Sequence, residues 1–322
     1  MKRKFSLYLG SIFSFLLLMF LVIHSRAAAQ ASLMGLKLCA TTLIPSLFPF
    51  MVISQLIANS YLMHKFSEKI TPLSKKLFGF SGTAIFSFLI GLLGSYPGGI
   101  KNLMAMYSQG IISKQEAKRA ALFCNNTGAA FCIAYMGGFI FSSLKIGVFL
   151  YFIHVLSALM LMIIARSKLC FDSPKVPDFK SQNFATVFTS AIKSGAETSL
   201  FVCGFVVFFS VLTEVLKISG IFYSLSGFLA SNLKLELKFT RAFILGFMEL
   251  SSGSTALLHM PINSINISLG SFMLSWGGLC VQAQSSSILM EEGFSPFEPI
   301  IFKLIQAVIS FFLAYVLFPL FF

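Results

Sequence analysis

The chain has 322 residues, of which 57% are hydrophobic and only 11% charged, with a formal net charge of +13. A soluble domain carries about a quarter charged residues, so this composition excludes a soluble globular protein and points to a polytopic helical membrane protein. The basic excess does not mark a nucleic-acid binder: the lysines sit in short loops between apolar runs, where positive charge holds loops on the cytoplasmic side, and no aromatic and basic residues interleave on a polar face.

The N-terminus, MKRKFSLYLGSIFSFLLLMFLVIHSRAAAQA, has the basic start, apolar stretch and small-residue tail of a signal peptide. Its apolar stretch is longer than the usual one, so a retained first helix over 5–26 is expected, with residues 1–30 outside the main architecture. A second helix over 32–58 follows, then a basic loop over 59–80. Length allows roughly eight to ten membrane segments.

Residues 81–108 contain GLLGSYPGGIKNLMAM (91–106), with four glycines, a proline, a lysine and an asparagine in an apolar run. The half-segment 81–94 is about 20 Å long as a helix, too short to span. Were 81–108 to cross, Lys114, Lys118 and Arg119 would lie outside, against the charge rule. A re-entrant hairpin turning at Ser95–Gly99 satisfies both constraints. Exposed N–H groups at such a turn, and the helix start after it, attract anions, and Lys101 adds a cation. Ser95, Gly98, Gly99, Lys101 and Asn102 are therefore site candidates; the alternative is a packing kink with Lys101 snorkelling to water.

Spans over 118–140 and 146–166 come next. The first holds Asn125, Asn126 and Thr127 before Gly128, polar groups at an interruption. A polar linker over 167–190 leads to a helix over 191–216, a segment over 218–238 with interfacial character, a second hairpin over 240–262, and spans over 267–290 and 298–320. Glu249, in GFMELSSGS, is the one acid well inside the second hairpin. An intramembrane carboxylate marks a proton, cation or substrate site, with Ser251 and Ser252 beside it; the alternative is a structural partner for Lys101. Gln282 and Gln284 follow the break at Gly277 and Gly278. These polar groups either line a site or glue helices together.

The halves resemble one another. FLIGLLGSYPGG (88–99) aligns with FILGFMELSSGS (243–254) at a shift of 155, and three further blocks follow in the same order, pairing His154 with Gln306. This predicts a first repeat over 31–166 and a second over 191–322. An odd number of crossings between them inverts the second, which gives an all-α polytopic membrane protein with an inverted repeat and two re-entrant helical hairpins. Such folds bind solutes at broken helices near the midplane. Lys217, Lys234, Lys238 and Arg241 oppose this topology, since it puts them outside.

The six cysteines form no CxxC pair, no His/Cys cluster has metal spacing, and no GxSxG, Walker A or HExxH motif occurs. No metal, cofactor or catalytic residue is expected, nor an enzyme. The expected partners are a small-molecule solute, with protons or sodium as coupling ion, and membrane lipids; a homo-oligomer is left open.

Two stretches, GSYPGGIKN…SKQEAKRAALFCNNTGAAF and ELSSGS…SWGGLCVQAQSSSI, resemble the YlbJ-type sporulation integral membrane proteins of the nucleoside-recognition (Gate) domain superfamily, over roughly 30–320. The superfamily is distantly similar to concentrative nucleoside transporters, built on inverted repeats with two hairpins. The resemblance implies that Gly94–Asn102, Asn125–Gly128, Glu249–Ser254 and Gly277–Gln284 line the substrate site. It also implies a bacterial cell membrane, or a forespore membrane, and a role in spore maturation in which a small metabolite such as dipicolinic acid crosses. The full acidic motifs of true nucleoside transporters are missing from this chain.

Overall fold

A computed structural model describes residues 2–166 and 183–322. Most of the expected linker, 167–182, with Cys170, lies outside the described residues. Among the described residues the chain is helical throughout its ordered elements, and no strand occurs.

The chain opens with α1 (Lys2–Ile23), α2 (Ser25–Leu38), a π-helical turn (Cys39–Leu43) and α3 (Ile44–Ala58). Only His24 leaves helical geometry between α1 and α2, and hydrogen bonds from His24 N to Phe20 O and from Ala28 N to His24 O carry the helix across it. The expected reversal near 27–31 is thus absent. The stretch RAAAQA consists largely of alanine, the best helix former, and holds no turn residue.

Ser60 caps α4 (Tyr61–Phe78) by accepting from Met63 N, and Gly79 ends it at φ +76°. The expected loop 59–80 is thus a helix, with Lys65, Lys69, Lys75 and Lys76 carried on it. Ser81 then caps α5 (Gly82–Gly94), which turns by 92° from α4. After the break at Ser95–Pro97, α6 (Gly98–Ser108) packs back on α5. The two arms meet at glycines: a Cβ on Gly99 would touch Gly91 Cα and strike the Cys124 carbonyl. Close backbone approach through small residues is how apolar helices associate without water to drive them. Ser87 Oγ donates to Asn102 Oδ1 across the arms at 2.9 Å.

The expected span 118–140 is interrupted. A short α7 (Lys114–Ala120) is followed by irregular backbone over 125–128 and a π-helix (Ala130–Ile140). Next is α8 (Leu144–Ile164), capped by Ser143. After residues 167–182, α9 (Phe184–Ile218) starts seven residues before the expected 191, because Asn183 caps it by accepting from Ala185 N. Then come α10 (Ile221–Leu233), α11 (Leu237–Met248), α12 (Leu250–Ala256), α13 (Ser264–Trp276), α14 (Gly278–Glu291) and α15 (Phe297–Phe321).

The order of elements in 44–164 recurs in the second half: a long helix, an amphipathic helix or interfacial-length helix, two short arms packed on each other, an interrupted segment and a final long helix. In the second pair of arms Gly253 abuts Gly246 Cα. The aligned positions Leu92 and Phe247 each offer a carbonyl to an aromatic donor, though from different elements: Tyr151 Oη of α8 donates to Leu92 O at 3.2 Å, and Trp276 Nε1 of α13 donates to Phe247 O at 3.0 Å.

Among the described residues, five helices are long and apolar enough to cross a membrane: Ser25–Ala58, Leu144–Ile164, Phe184–Ile218, Ser264–Glu291 and Phe297–Phe321. The bent pair Lys65–Phe78 and Gly82–Gly94 makes six. That is fewer than the eight to ten the length allows: the apolar helices Gly10–Ile23, in the expected first span, Ala130–Ile140 and Ile221–Leu233 are too short to count. The outward faces of these helices are apolar, with Leu200 70% and Leu320 74% exposed, as a lipid-facing surface requires. Buried instead are polar side chains such as Ser87, Asn102, Asn126, Ser271, Gln282 and Gln306. The chain is an all-α polytopic integral membrane protein.

Candidate functional site

All four expected interruptions are present, and they meet. The break at Ser95–Pro97, the irregular stretch 125–128 and the end of α13 at Gly277 are joined by side-chain hydrogen bonds. Tyr96 Oη donates to Leu274 O at 3.1 Å and to Ser275 O at 3.2 Å. Thr127 Oγ1 donates to Leu274 O at 2.6 Å. Gln282 Nε2 donates to Trp276 O at 2.6 Å. A helix leaves its last carbonyls without donors; here the carbonyls of Leu274, Ser275 and Trp276 are served from two other breaks and from the next helix. Gly277 and Gly278, at φ +78° and +83°, make the turn. A Cβ on Gly278 would crowd Glu249 Cα, which places this break directly on the fourth.

At that fourth break Glu249 is 3% exposed. Its Oε1 accepts from Ser251 N at 2.8 Å and its Oε2 from Ser252 N at 2.6 Å. The carboxylate therefore caps α12, as acids do at helix starts. It also lines a cavity of about 40 Å³ together with Ser95, Tyr96, Ser251, Cys280 and Gln284. Gln284 Nε2 donates to Cys280 Sγ at 3.4 Å, and its Oε1 is buried without a partner. Room of this size holds a few water molecules.

A second, smaller cavity of about 10 Å³ lies at the other side of the breaks, lined by Asn125, Gln282, Ser285, Ser286 and Lys303 among others. Asn125 Nδ2 donates to Ser285 Oγ at 2.5 Å, while Asn125 Oδ1 is buried and unpartnered. Asn126 Nδ2 donates to Phe123 O at 2.7 Å, and its Oδ1 accepts from Gln306 Nε2 at 3.5 Å. His154 stands opposite: Thr127 N donates to its Nε2 at 3.2 Å, so Nδ1 carries the hydrogen and donates to Ser275 Oγ at 2.9 Å. The two residues paired by the repeat alignment, His154 and Gln306, thus both hold the 125–128 stretch.

The remaining candidates are placed as follows. Gly98 starts α6 with open space around it, and Gly99 is packed between the arms. Asn102 locks the arms and does not line either cavity. Lys101 faces α9, where Nζ donates to Ser194 Oγ at 3.1 Å and Thr198 Oγ1 at 2.6 Å. It lines neither cavity. It does not pair with Glu249, whose oxygens are held by backbone N–H groups, so the alternative of a structural Lys101–Glu249 pair is corrected. The carboxylate had closer donors two and three residues on, and the lysine had hydroxyls on α9.

Sequence reasoning passed over Lys303, which is 2% exposed. Nζ donates to Asn125 O at 2.7 Å and Gln306 Oε1 at 2.6 Å, and lies 5.2 Å from the Tyr96 ring centroid. The signal was present: a lysine inside the apolar run of the last helix, three residues before Gln306, falls under the same rule for intramembrane charges that singled out Glu249. Ser285 was likewise passed over, while Tyr96 and Cys280 fell within the stretches Gly94–Asn102 and Gly277–Gln284 without being named individually.

Residues 40–147, which hold the first hairpin and the 125–128 break, match the Gate family, described as nucleoside recognition. The chain is 26% identical over 330 residues to the sporulation integral membrane protein YlbJ of Bacillus subtilis (strain 168), covering 94% of this chain and 80% of that protein. No solved structure matches significantly. Membrane helices, polar breaks and both similarities converge: the chain is a polytopic membrane protein similar to the sporulation integral membrane protein YlbJ, and its residues 40–147 are similar to the Gate family.

Proposed function

We propose that this protein is a secondary-type transporter of a small anionic metabolite that acts in spore maturation, with dipicolinic acid as the candidate substrate. The observation that carries the reading is the meeting of four helix breaks around small cavities with buried polar side chains in their lining, Glu249, Ser95, Ser251 and Gln284 in one and Asn125 and Gln282 in the other. A scaffold needs no such groups at the core of an apolar helix bundle, where each costs free energy unless satisfied. In this reading the two series of elements are an inverted repeat, 31–166 and 191–322, and the paired arms α5–α6 and α11–α12 are re-entrant hairpins. The cavities have room for waters but not for a metabolite, so a solute is admitted when the breaks separate. Protons or sodium drive the cycle, with Glu249 as the coupling group if protons do.

A nucleoside-type solute is the second reading, favoured by the Gate match over 40–147. Proteoliposomes containing the full chain, loaded against imposed proton or sodium gradients, separate the two. Gradient-driven uptake of labelled dipicolinic acid that excess uridine does not inhibit is the expected result. Uptake of uridine alone would assign the second reading. Uptake of neither above protein-free liposomes would leave a non-transporting membrane scaffold for spore assembly.

A further inference from the structure

Lys303 is the one lysine or arginine among the described residues that is fully withdrawn from the surface. Every group that faces its Nζ is a neutral cation-seeking group: the Asn125 carbonyl, the Gln306 amide oxygen and the Tyr96 ring. No carboxylate lies within ion-pair distance among the described residues. On its own helix, Glu298 is taken by Lys118 at 2.9 Å. From α8, His154 is engaged with Thr127 and Ser275 through both nitrogens. From the first break, the Tyr96 hydroxyl is spent on Leu274 and Ser275. From α14, Gln282 and Ser285 are uncharged.

An isolated ammonium buried in this way is costly unless its surroundings are built for a cation. Carbonyl and amide oxygens at unwound backbone, with an aromatic face nearby, are such surroundings; they are the groups that hold alkali cations at broken membrane helices. A further oxygen of the same residue, Asn125 Oδ1, is buried with no donor, and Asn125 and Lys303 line the same small cavity. That lining therefore carries an oxygen that the ammonium does not use.

We propose that the Lys303 ammonium is a tethered cation seated in an oxygen site at the 125–128 break, and that removal of the amine converts this place into a sodium-binding site. The chain in its present form then needs no sodium there: its own last helix supplies the charge that pins the break. The inference rests on the geometry of Lys303 and does not depend on transport, so its failure would leave the transport reading standing, and the reverse.

The purified full chain in detergent is compared with Lys303→Ala and with Lys303→Ala combined with Gln306→Leu. Thermal unfolding is followed in sodium chloride and in choline chloride of equal ionic strength, together with binding of radiolabelled sodium. The parent is expected to show the same Tm in both salts and no bound sodium. Lys303→Ala is expected to gain about 3–8 °C in sodium at a hundred times its Kd, with one sodium per chain. The double variant is expected to lose both responses. A folded Lys303→Ala protein indifferent to sodium would overturn the proposal, as would sodium binding by the parent at the level of the variant. Should Lys303→Ala not fold in either salt, Gln306→Glu decides. Beside a charged ammonium the new carboxylate forms an ion pair and Tm is held or raised. A drop in Tm of more than about 5 °C, as for a lone buried carboxylate, would overturn the proposal.

Discussion

Removing both hydroxyls that converge on Leu274 should cost more than the sum of removing each. The Leu274 carbonyl stands in the last turn of α13, which ends at Gly277, so no N–H of its own helix serves it. Tyr96 Oη and Thr127 Oγ1 do, from the first break and from the 125–128 stretch. In Thr127→Val the carbonyl keeps Tyr96, and the loss is that of one interhelical hydrogen bond, about 0.6 kcal/mol. In Tyr96→Phe it keeps Thr127, but Ser275 O loses its donor as well, so about 1–1.5 kcal/mol is expected. In the double variant Leu274 O is buried with no donor, which adds a desolvation penalty of about 1–3 kcal/mol. The cycle should therefore show a coupling energy of about 1 kcal/mol or more, far outside the ~0.3–0.5 kcal/mol within which independent sites add. Thermal and SDS-induced unfolding of the four proteins in detergent measures it. At about 2–4 °C per kcal/mol, the double variant's Tm should fall at least 2 °C beyond the sum of the single falls. Strict additivity would mean that the three breaks are not joined through this carbonyl.

Neighbouring glycines at the first break should behave oppositely. Gly99→Ala drives a methyl into the Cys124 carbonyl and should cost about 1–3 kcal/mol, whereas Gly98→Ala meets open space and should leave Tm within a degree or so of the parent, about 0.5 kcal/mol at most; differential unfolding of the two variants checks this. Lys101→Met, which deletes donors to Ser194 and Thr198, should free α6 from α9 and lower Tm by about 2–6 °C. Glu249→Gln retains one acceptor oxygen for the α12 cap and should fold. If Glu249 carries the coupling proton, the pH dependence of uptake disappears in this variant while solute binding stays; an unchanged pH profile would reduce Glu249 to a helix cap.

The breaks were legible in the sequence and their partners were not. Gly94–Gly99, Asn125–Gly128, Glu249 and Gly277–Gly278 stand out because glycine, proline and polar side chains interrupt apolar runs, and an apolar run has few other reasons to hold them. That Tyr96 and Thr127 share a carbonyl 147 residues or more away depends on tertiary placement alone. Helix ends were misread where composition and context conflict. The lysines of 61–78 suggested a loop, but they ride on an amphipathic helix bounded by Ser60 and Gly79. The alanines of 27–31 sustained a helix where a reversal was expected. Lys303 escaped notice for a different reason: neither glycine nor proline occurs in 300–318, so no break drew attention to it and only the charge itself marked it.

The architecture behind the transport reading is tested most directly by sidedness. In a cysteine-free background, single cysteines at the exposed positions Lys69 and Gln115 flank the first pair of arms, and those at Asn232 and Asn263 flank the second. Labelling with an impermeant thiol reagent, from outside intact cells and after permeabilisation, assigns each to a face of the membrane. An inverted repeat with two re-entrant hairpins requires Lys69→Cys and Gln115→Cys to react from one face, and Asn232→Cys and Asn263→Cys from the opposite face. Reaction of Gln115→Cys from the face opposite to Lys69→Cys would make α5–α6 a crossing and contradict the account.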